Sequence, residues 1–178
     1  MRTPSRIDRD FYVPGVPPYN LVQGGPDFES EKLIAYELGY RVQPVARLAL
    51  SLTGFYHDYD DLRGTEPLSP TVPFPVVIAN GLQGETYGAE LATDYKATDW
   101  WRLRAGYTEL QVHLRPKPGS ADMSNGSNES HDPNHQFSLW SLWDLPAHLE
   151  LDAGFRYVSK ITNQSVPAYA EMDARLAW

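Results

Sequence analysis

Between residues 33 and 178 this chain keeps returning to a two-residue rhythm, and that rhythm limits its fold more than any other property. Over 33–43, Ile34, Tyr36, Leu38, Tyr40 and Val42 alternate with Ala35, Glu37, Gly39, Arg41 and Gln43. Successive side chains of a strand point to opposite faces, whereas a helix here would set Glu37 and Arg41 beside Leu38 with no apolar stripe. The rhythm recurs over 47–57, 85–96, 101–108, 149–157 and 171–178, and less cleanly over 137–143, where Trp140 and Leu142 share a face with Gln136 and Ser138. At Leu110, Val112 and Leu114 its phase flips, which predicts a bulge or the end of an embedded part. Short breaks at 43–46, 97–99 and 144–148 alternate with longer ones at 58–75, 115–134 and 159–165. The pattern predicts about seven strands joined as hairpins, no helix and no domain boundary.

The two faces differ in a way that selects the solvent. One is apolar and aromatic; the other carries Glu, Asp and Arg mixed with Gly and Ala in nearly every strand. A transmembrane β-barrel has that arrangement, with apolar residues toward lipid, a wet interior, and short turns at one end opposite long loops at the other. Trp100, Trp101, Trp143 and Trp178 all map to the short-turn end, as an aromatic girdle does. The rival reading is a soluble β-sandwich, a binding or glycan-hydrolysing module with its tryptophans in the core. A passive porin or autotransporter barrel is a third.

Composition removes other classes. A net charge of −8 and a pI near 5.0 argue against nucleic acid as a partner. No run of 18 apolar residues can form a transmembrane helix, and 12% aromatics is too many for a disordered coil. With no cysteine there is no disulfide scaffold.

Candidate chemistry is sparse. His57, Asp58, Asp60 and Asp61 resemble a cation site but fit a solvated acidic rim better. His131 and His135 sit at metal-ligand spacing, but on a proline-containing loop. Glu150 and Asp152 share a face as a hydrolase pair would, with no nucleophile motif anywhere. The charged face gives the candidate lumen-facing residues: Glu37, Arg41, Glu90, Asp94, Arg102, Arg104, Glu150, Asp152, Arg156, Asp173 and Arg175. Cross-strand pairing that stiffens the wall is the simplest role for them. No catalytic residue, metal or cofactor is expected.

Five stretches then carry a resemblance. They are Arg2-Thr3-Pro4-Ser5-Arg6, the strand from Glu31 through Tyr36-Glu37-Leu38-Gly39 to Arg41, Phe55-Tyr56-His57-Asp58-Tyr59-Asp60-Asp61-Leu62, Asn80-Gly81 followed by Gly84-Glu85-Thr86-Tyr87-Gly88-Ala89-Glu90-Leu91, and Asp173-Ala174-Arg175-Leu176-Ala177-Trp178. In this order they resemble TonB-dependent outer-membrane receptors. The resemblance implies an all-β fold: about seven antiparallel strands of a larger, 22-stranded type of transmembrane barrel, incomplete on its own. It implies that residues 1–178 are a partial barrel domain without the plug, TonB box or secretion signal. It implies outer-membrane lipid as surroundings, TonB acting through the missing plug, and a small extracellular ligand such as a ferric siderophore or cobalamin. A segment with two open edges in lipid would not transport alone, because each unpaired backbone group there costs several kcal/mol. Ligand specificity is expected around 63–74 and 117–131, and no enzyme activity.

Overall fold

The computed structural model describes residues 2–12, 21–69, 72–122, 124–127, 131–161 and 165–178. A short helix, α1 (Arg6–Asp10), precedes β1 (Val22–Gln23), β2 (Lys32–Val45), β3 (Leu48–Ser69), β4 (Val72–Lys96), β5 (Trp101–Pro116), β6 (His135–Leu145), β7 (Leu149–Val158) and β8 (Tyr169–Ala177). Strands β2 to β8 lie in one sheet in chain order, and β1 adds to β4 in parallel through Val22 opposite Val76. Where the connection is short, at 46–47, 97–100 and 146–148, sequence neighbours become antiparallel sheet neighbours because so few residues can reach no other strand. Among the described residues, β2 and β8 have one neighbour each. The chain divides into two compact units. One comprises Met1–Ala35, His57–Thr86 and Val112–Ser130; the other comprises Tyr36–Tyr56, Tyr87–Gln111 and His131–Trp178.

The second unit is a single layer whose two faces differ. On one face Ala105 lies opposite Leu139, Leu139 opposite Phe155, and Phe155 opposite Met172. On the other, Arg102, Leu142, Asp152 and Arg175 form one row, and Arg104, Trp140, Gly154 and Asp173 the next. The apolar face has no covering layer: Leu38 is 81% exposed and Met172 is 80% exposed.

The first unit is different, because it has a true core. Phe28, Ile78 and Leu82 are almost wholly buried. Glycines make that closeness possible. A Cβ on Gly25 would sit 2.0 Å from the Ile78 carbonyl oxygen, and one on Gly84 would sit 2.2 Å from that of His113.

Three expectations need correction. The 58–75 stretch is not a long loop, because β3 runs to Ser69 and β4 starts at Val72. Alternation fails there because this part of the chain belongs to the first unit, where buried Asp61 and Gly64 break the two-face pattern. The first turn is Ala46-Arg47, not 43–46, and β2 continues through Pro44. A strand with one neighbour tolerates a missing N–H on its free side. Finally, α1 exists. Its five residues are too few to show helical period, but Ser5 and Asp8 form the reciprocal capping box that marks a helix start.

Gly25→Ala is expected to destabilise the first unit by about 1–3 kcal/mol, the usual cost of overpacking. Limited proteolysis should show earlier cleavage within 2–12 and 21–28. Gly39→Ala, whose Cβ would meet only the Thr53 hydroxyl at 3.6 Å, should leave the digestion pattern unchanged.

Candidate functional site

Two polar arrangements stand out, one in each unit. In the first unit, four of the sequence motifs meet in a hydrogen-bonded clamp. Asp8 is fully buried, and its Oδ2 accepts from the Ser5 N–H at 2.7 Å and the Ser5 hydroxyl at 2.8 Å. Arg2 donates to Asp8 Oδ2 at 3.0 Å and to Glu31 Oε1 at 2.8 Å, and Glu31 also accepts from the Arg63 N–H at 3.1 Å. The N-terminal segment is thereby tied to β3. Asn80 of β4 accepts from the Glu29 N–H at 2.6 Å, and its Nδ2 donates to the carbonyls of Glu29 at 3.1 Å and Asp61 at 2.6 Å.

Asp61 takes a left-handed backbone conformation, φ 58°, which turns its carboxylate inward. There it meets Lys117, and Lys32 Nζ sits 2.5 Å from Oδ2. Lys117 also pairs with Asp60 at 2.8 Å. These partners fill the place that a cation would take. Asp61 is accordingly not part of a solvated rim, contrary to expectation. Asp122 anchors the connection after β5: it accepts from the Thr65 N–H and from the Ser124 hydroxyl, both at 2.7 Å.

Hydrogen bonds from Lys117 and then Lys32 hold the Asp61 carboxyl below the usual carboxylate range. Lys117 does the same for Asp60. Burial alone would raise Asp8, but hydrogen bonds from Ser5 and the charge of Arg2 outweigh it and lower it.

In the second unit the polar face brings some of the charged candidates together and leaves others apart. Asp94 of β4 receives Arg102 Nε at 2.7 Å and Arg104 Nε at 3.3 Å. Arg175 of β8 bridges Asp152 at 2.8 Å and Glu150 at 3.2 Å. Arg156 pairs with Glu171, which sequence reasoning did not single out although it sits directly opposite in the register. Arg41 and Glu90 have no ion-pair or hydrogen-bond partner among the described residues, Asp173 faces Gly154 in register, and Glu37 stands on β2 with contacts of its own. A groove of about 670 Å³ opens on this face, with Arg41, Ala49, Ala92, Asp94, Arg104, Gly106 and Trp140 among its lining. The Trp140 ring lies over Gly154, where a Cβ would come within 2.8 Å of it.

Two aromatic bands border the apolar face. Trp101 lies opposite Trp143 near the short turns. Farther along the same strands, Tyr107 lies opposite Phe137 and Phe137 opposite Tyr157, while on β2 and β3 Tyr36 and Tyr56 pack at 6.4 Å. This second band was missed; its signal was a Tyr or Phe on the apolar face seven to ten residues from each short turn. His135 is engaged by the Tyr107 hydroxyl at 2.9 Å, and no cluster of metal-ligating side chains occurs among the described residues.

The family model described as TonB dependent receptor-like, beta-barrel, matches residues 1–178. The chain is 29% identical over 113 residues to the probable TonB-dependent siderophore receptor PiuA of Acinetobacter baumannii, covering 56% of this chain and 15% of that protein. It is 26% identical over 144 residues to the ferrioxamine receptor of Yersinia enterocolitica, covering 78% of this chain and 19% of that protein. Among solved structures, the apoprotein form of the FrpB iron transporter from Neisseria meningitidis aligns with a TM-score of 0.68 at 14% identity, over 89% of this chain and 26% of that one. The siderophore receptor PiuA structure from A. baumannii aligns with a TM-score of 0.62 at 23% identity, over 82% of this chain and 22% of that one. The chain thus spans less than a fifth of the length of these two relatives.

The lowered carboxyls fix a pH dependence for the first unit. A carboxyl whose folded value is depressed adds stability above its unfolded value, near 3.8, and loses it as pH falls through the folded value. Hydrogen-exchange protection of 21–35 and 57–69 is therefore expected to be flat from neutral pH to about 5, at constant intrinsic rate, and to fall below about 4. Loss of protection already between pH 7 and 5 would contradict the assignment.

Proposed function

From the premise that this chain belongs to the TonB-dependent receptor β-barrel family, we propose that it forms one stretch of the wall of an outer-membrane receptor that takes up a ferric siderophore. The family is one of transport receptors, not enzymes. One observation carries the reading: the second unit is a single layer whose aliphatic face is exposed and bordered by two aromatic bands. An apolar face of that extent in water is an aggregation hazard; against hydrocarbon it is the favourable surface. The names of the relatives, siderophore and ferrioxamine receptors, favour ferric chelates over cobalamin.

In this reading the apolar face meets outer-membrane lipid. The charged face lines the barrel interior. Residues 1–178 are then barrel domain throughout. The remaining strands, a plug and its engagement of TonB belong to the rest of the receptor. The free sides of β2 and β8 are where further strands would pair, since unpaired backbone is not tolerated in lipid.

A receptor containing this segment should restore growth of a siderophore-uptake mutant on a ferric siderophore as sole iron source, and only while the TonB system is energised. Growth without energisation would favour a passive pore. A face test accompanies it. Leu139→Arg, toward lipid, is expected to destabilise the receptor by about 2–4 kcal/mol, while Gln136→Arg on the polar face should cost less than about 1 kcal/mol. Denaturant-unfolding midpoints in lipid vesicles measure both, and equal penalties would contradict the face assignment.

A further inference from the structure

The groove on the polar face holds more positive charge than its own pairing uses. Arg41 enters it from β2 with no partner among the described residues. Across the groove, Arg104 shares the carboxylate of Asp94 with Arg102, which stands outside the lining. The lining therefore carries two guanidiniums to one carboxylate that is already engaged, in a chain whose net charge is −8. Two strands separate β2 from β5, so the strands bearing Arg41 and Arg104 run about 14 Å apart at the usual spacing. Between them the floor is Ala49, Ala92 and Gly106, which leave the space open. The Trp140 ring, held over Gly154, closes one side with an apolar wall. Guanidinium is the side chain best shaped to take an oxyanion through two parallel N–H donors, and it stays charged at any working pH.

We propose that this groove is an anion-binding station, with Arg41 and Arg104 as its two posts, which takes a carboxylate or similar oxyanion inside the barrel. The proposal rests on the reading that this face lines the interior. Two sources share the chemistry: an anionic ferric chelate in transit, or an acidic side chain of polypeptide occupying the interior. Asp94 is not the guest, because Arg102 already engages both its oxygens, through Nε at 2.7 Å and Nη2 at 2.5 Å. The station needs charge and reach, not the exact guanidinium shape of each post, so lysine should partly serve at either.

The test uses the full-length receptor with Arg41→Gln, Arg104→Gln, the double variant, and the double lysine variant. Three quantities are read: binding of ferric chelate to de-energised cells, initial uptake rate, and the melting temperature of the purified receptor. The probes are a trianionic ferric tris-catecholate and a neutral ferric trihydroxamate. The double glutamine variant is expected to lower uptake about tenfold with little change in the binding constant, and the double lysine variant to recover most of it. Loss confined to the tris-catecholate assigns the station to the transported anion. Equal loss for both chelates, with a lower melting temperature, assigns it to an acidic side chain of the receptor. Unchanged uptake and melting temperature in the double glutamine variant would overturn the proposal, as would a binding constant that weakens in parallel with uptake. Wild-type receptor that takes up neither chelate would instead overturn the siderophore reading. The station then stands or falls on the melting temperature of the double glutamine variant.

Discussion

A sheet one layer thick can persist only if something other than protein covers its apolar side. In the second unit, Leu38, Leu52, Leu91 and Met172 lie exposed on a face that no helix or second sheet shields. Hydrocarbon resolves this, because it welcomes the side chains and forbids unpaired backbone. The same requirement accounts for the meandering strand order, since every interior strand finds both partners close by in sequence. It also accounts for the aromatic bands, because Tyr and Trp settle where an apolar body and a polar tip are both satisfied.

The motifs that identify the family do structural labour more than chemistry. Arg2, Ser5, Asp8, Glu31, Asp61 and Asn80 come from separate stretches of sequence and converge in one clamp of the first unit. Its carboxylates, Asp8 and Asp61 buried and Glu31 half-buried, are each paired with a cation of the same unit. What remains uncompensated lies on the polar face of the second unit, around Arg41. Paired charges stiffen a wall; an unpaired one is available to a guest.

How much could be foreseen depended on how many environments each strand meets. From Trp101 to Tyr107 and from Leu149 to Tyr157 each strand has one apolar and one polar side, and the alternation in sequence gives both faces. From Asp58 to Ser69 the chain belongs to the first unit, with Asp61 buried in a left-handed conformation, and polarity there suggested a loop where a strand continues. The phase flip at Leu110 marks a physical event. Pairing with β6 ends at Glu109 opposite His135, and the chain passes into the first unit from Val112. The face shared by the charged candidates was legible because parity alone decides it. Which of them pair was not, because Asp94 takes both Arg102 and Arg104, and Arg156 finds Glu171 only through a register that the sequence does not state.

The central claim is that lipid covers the side bearing Leu139 and Phe155, and water the side bearing Gln136 and Arg156. The chain has no cysteine, so single cysteines can be introduced one at a time along β6, from Gln136 to Trp143, in the receptor reconstituted in lipid. Spin labels at these sites report collision with oxygen, which concentrates in hydrocarbon, and with a water-soluble nickel complex. The account predicts a two-residue alternation, with oxygen favoured at 137, 139, 141 and 143 and nickel at 136, 138, 140 and 142. Labels at 137, 139, 141 and 143 that neither reagent reaches would mean that protein covers that side, and would contradict it.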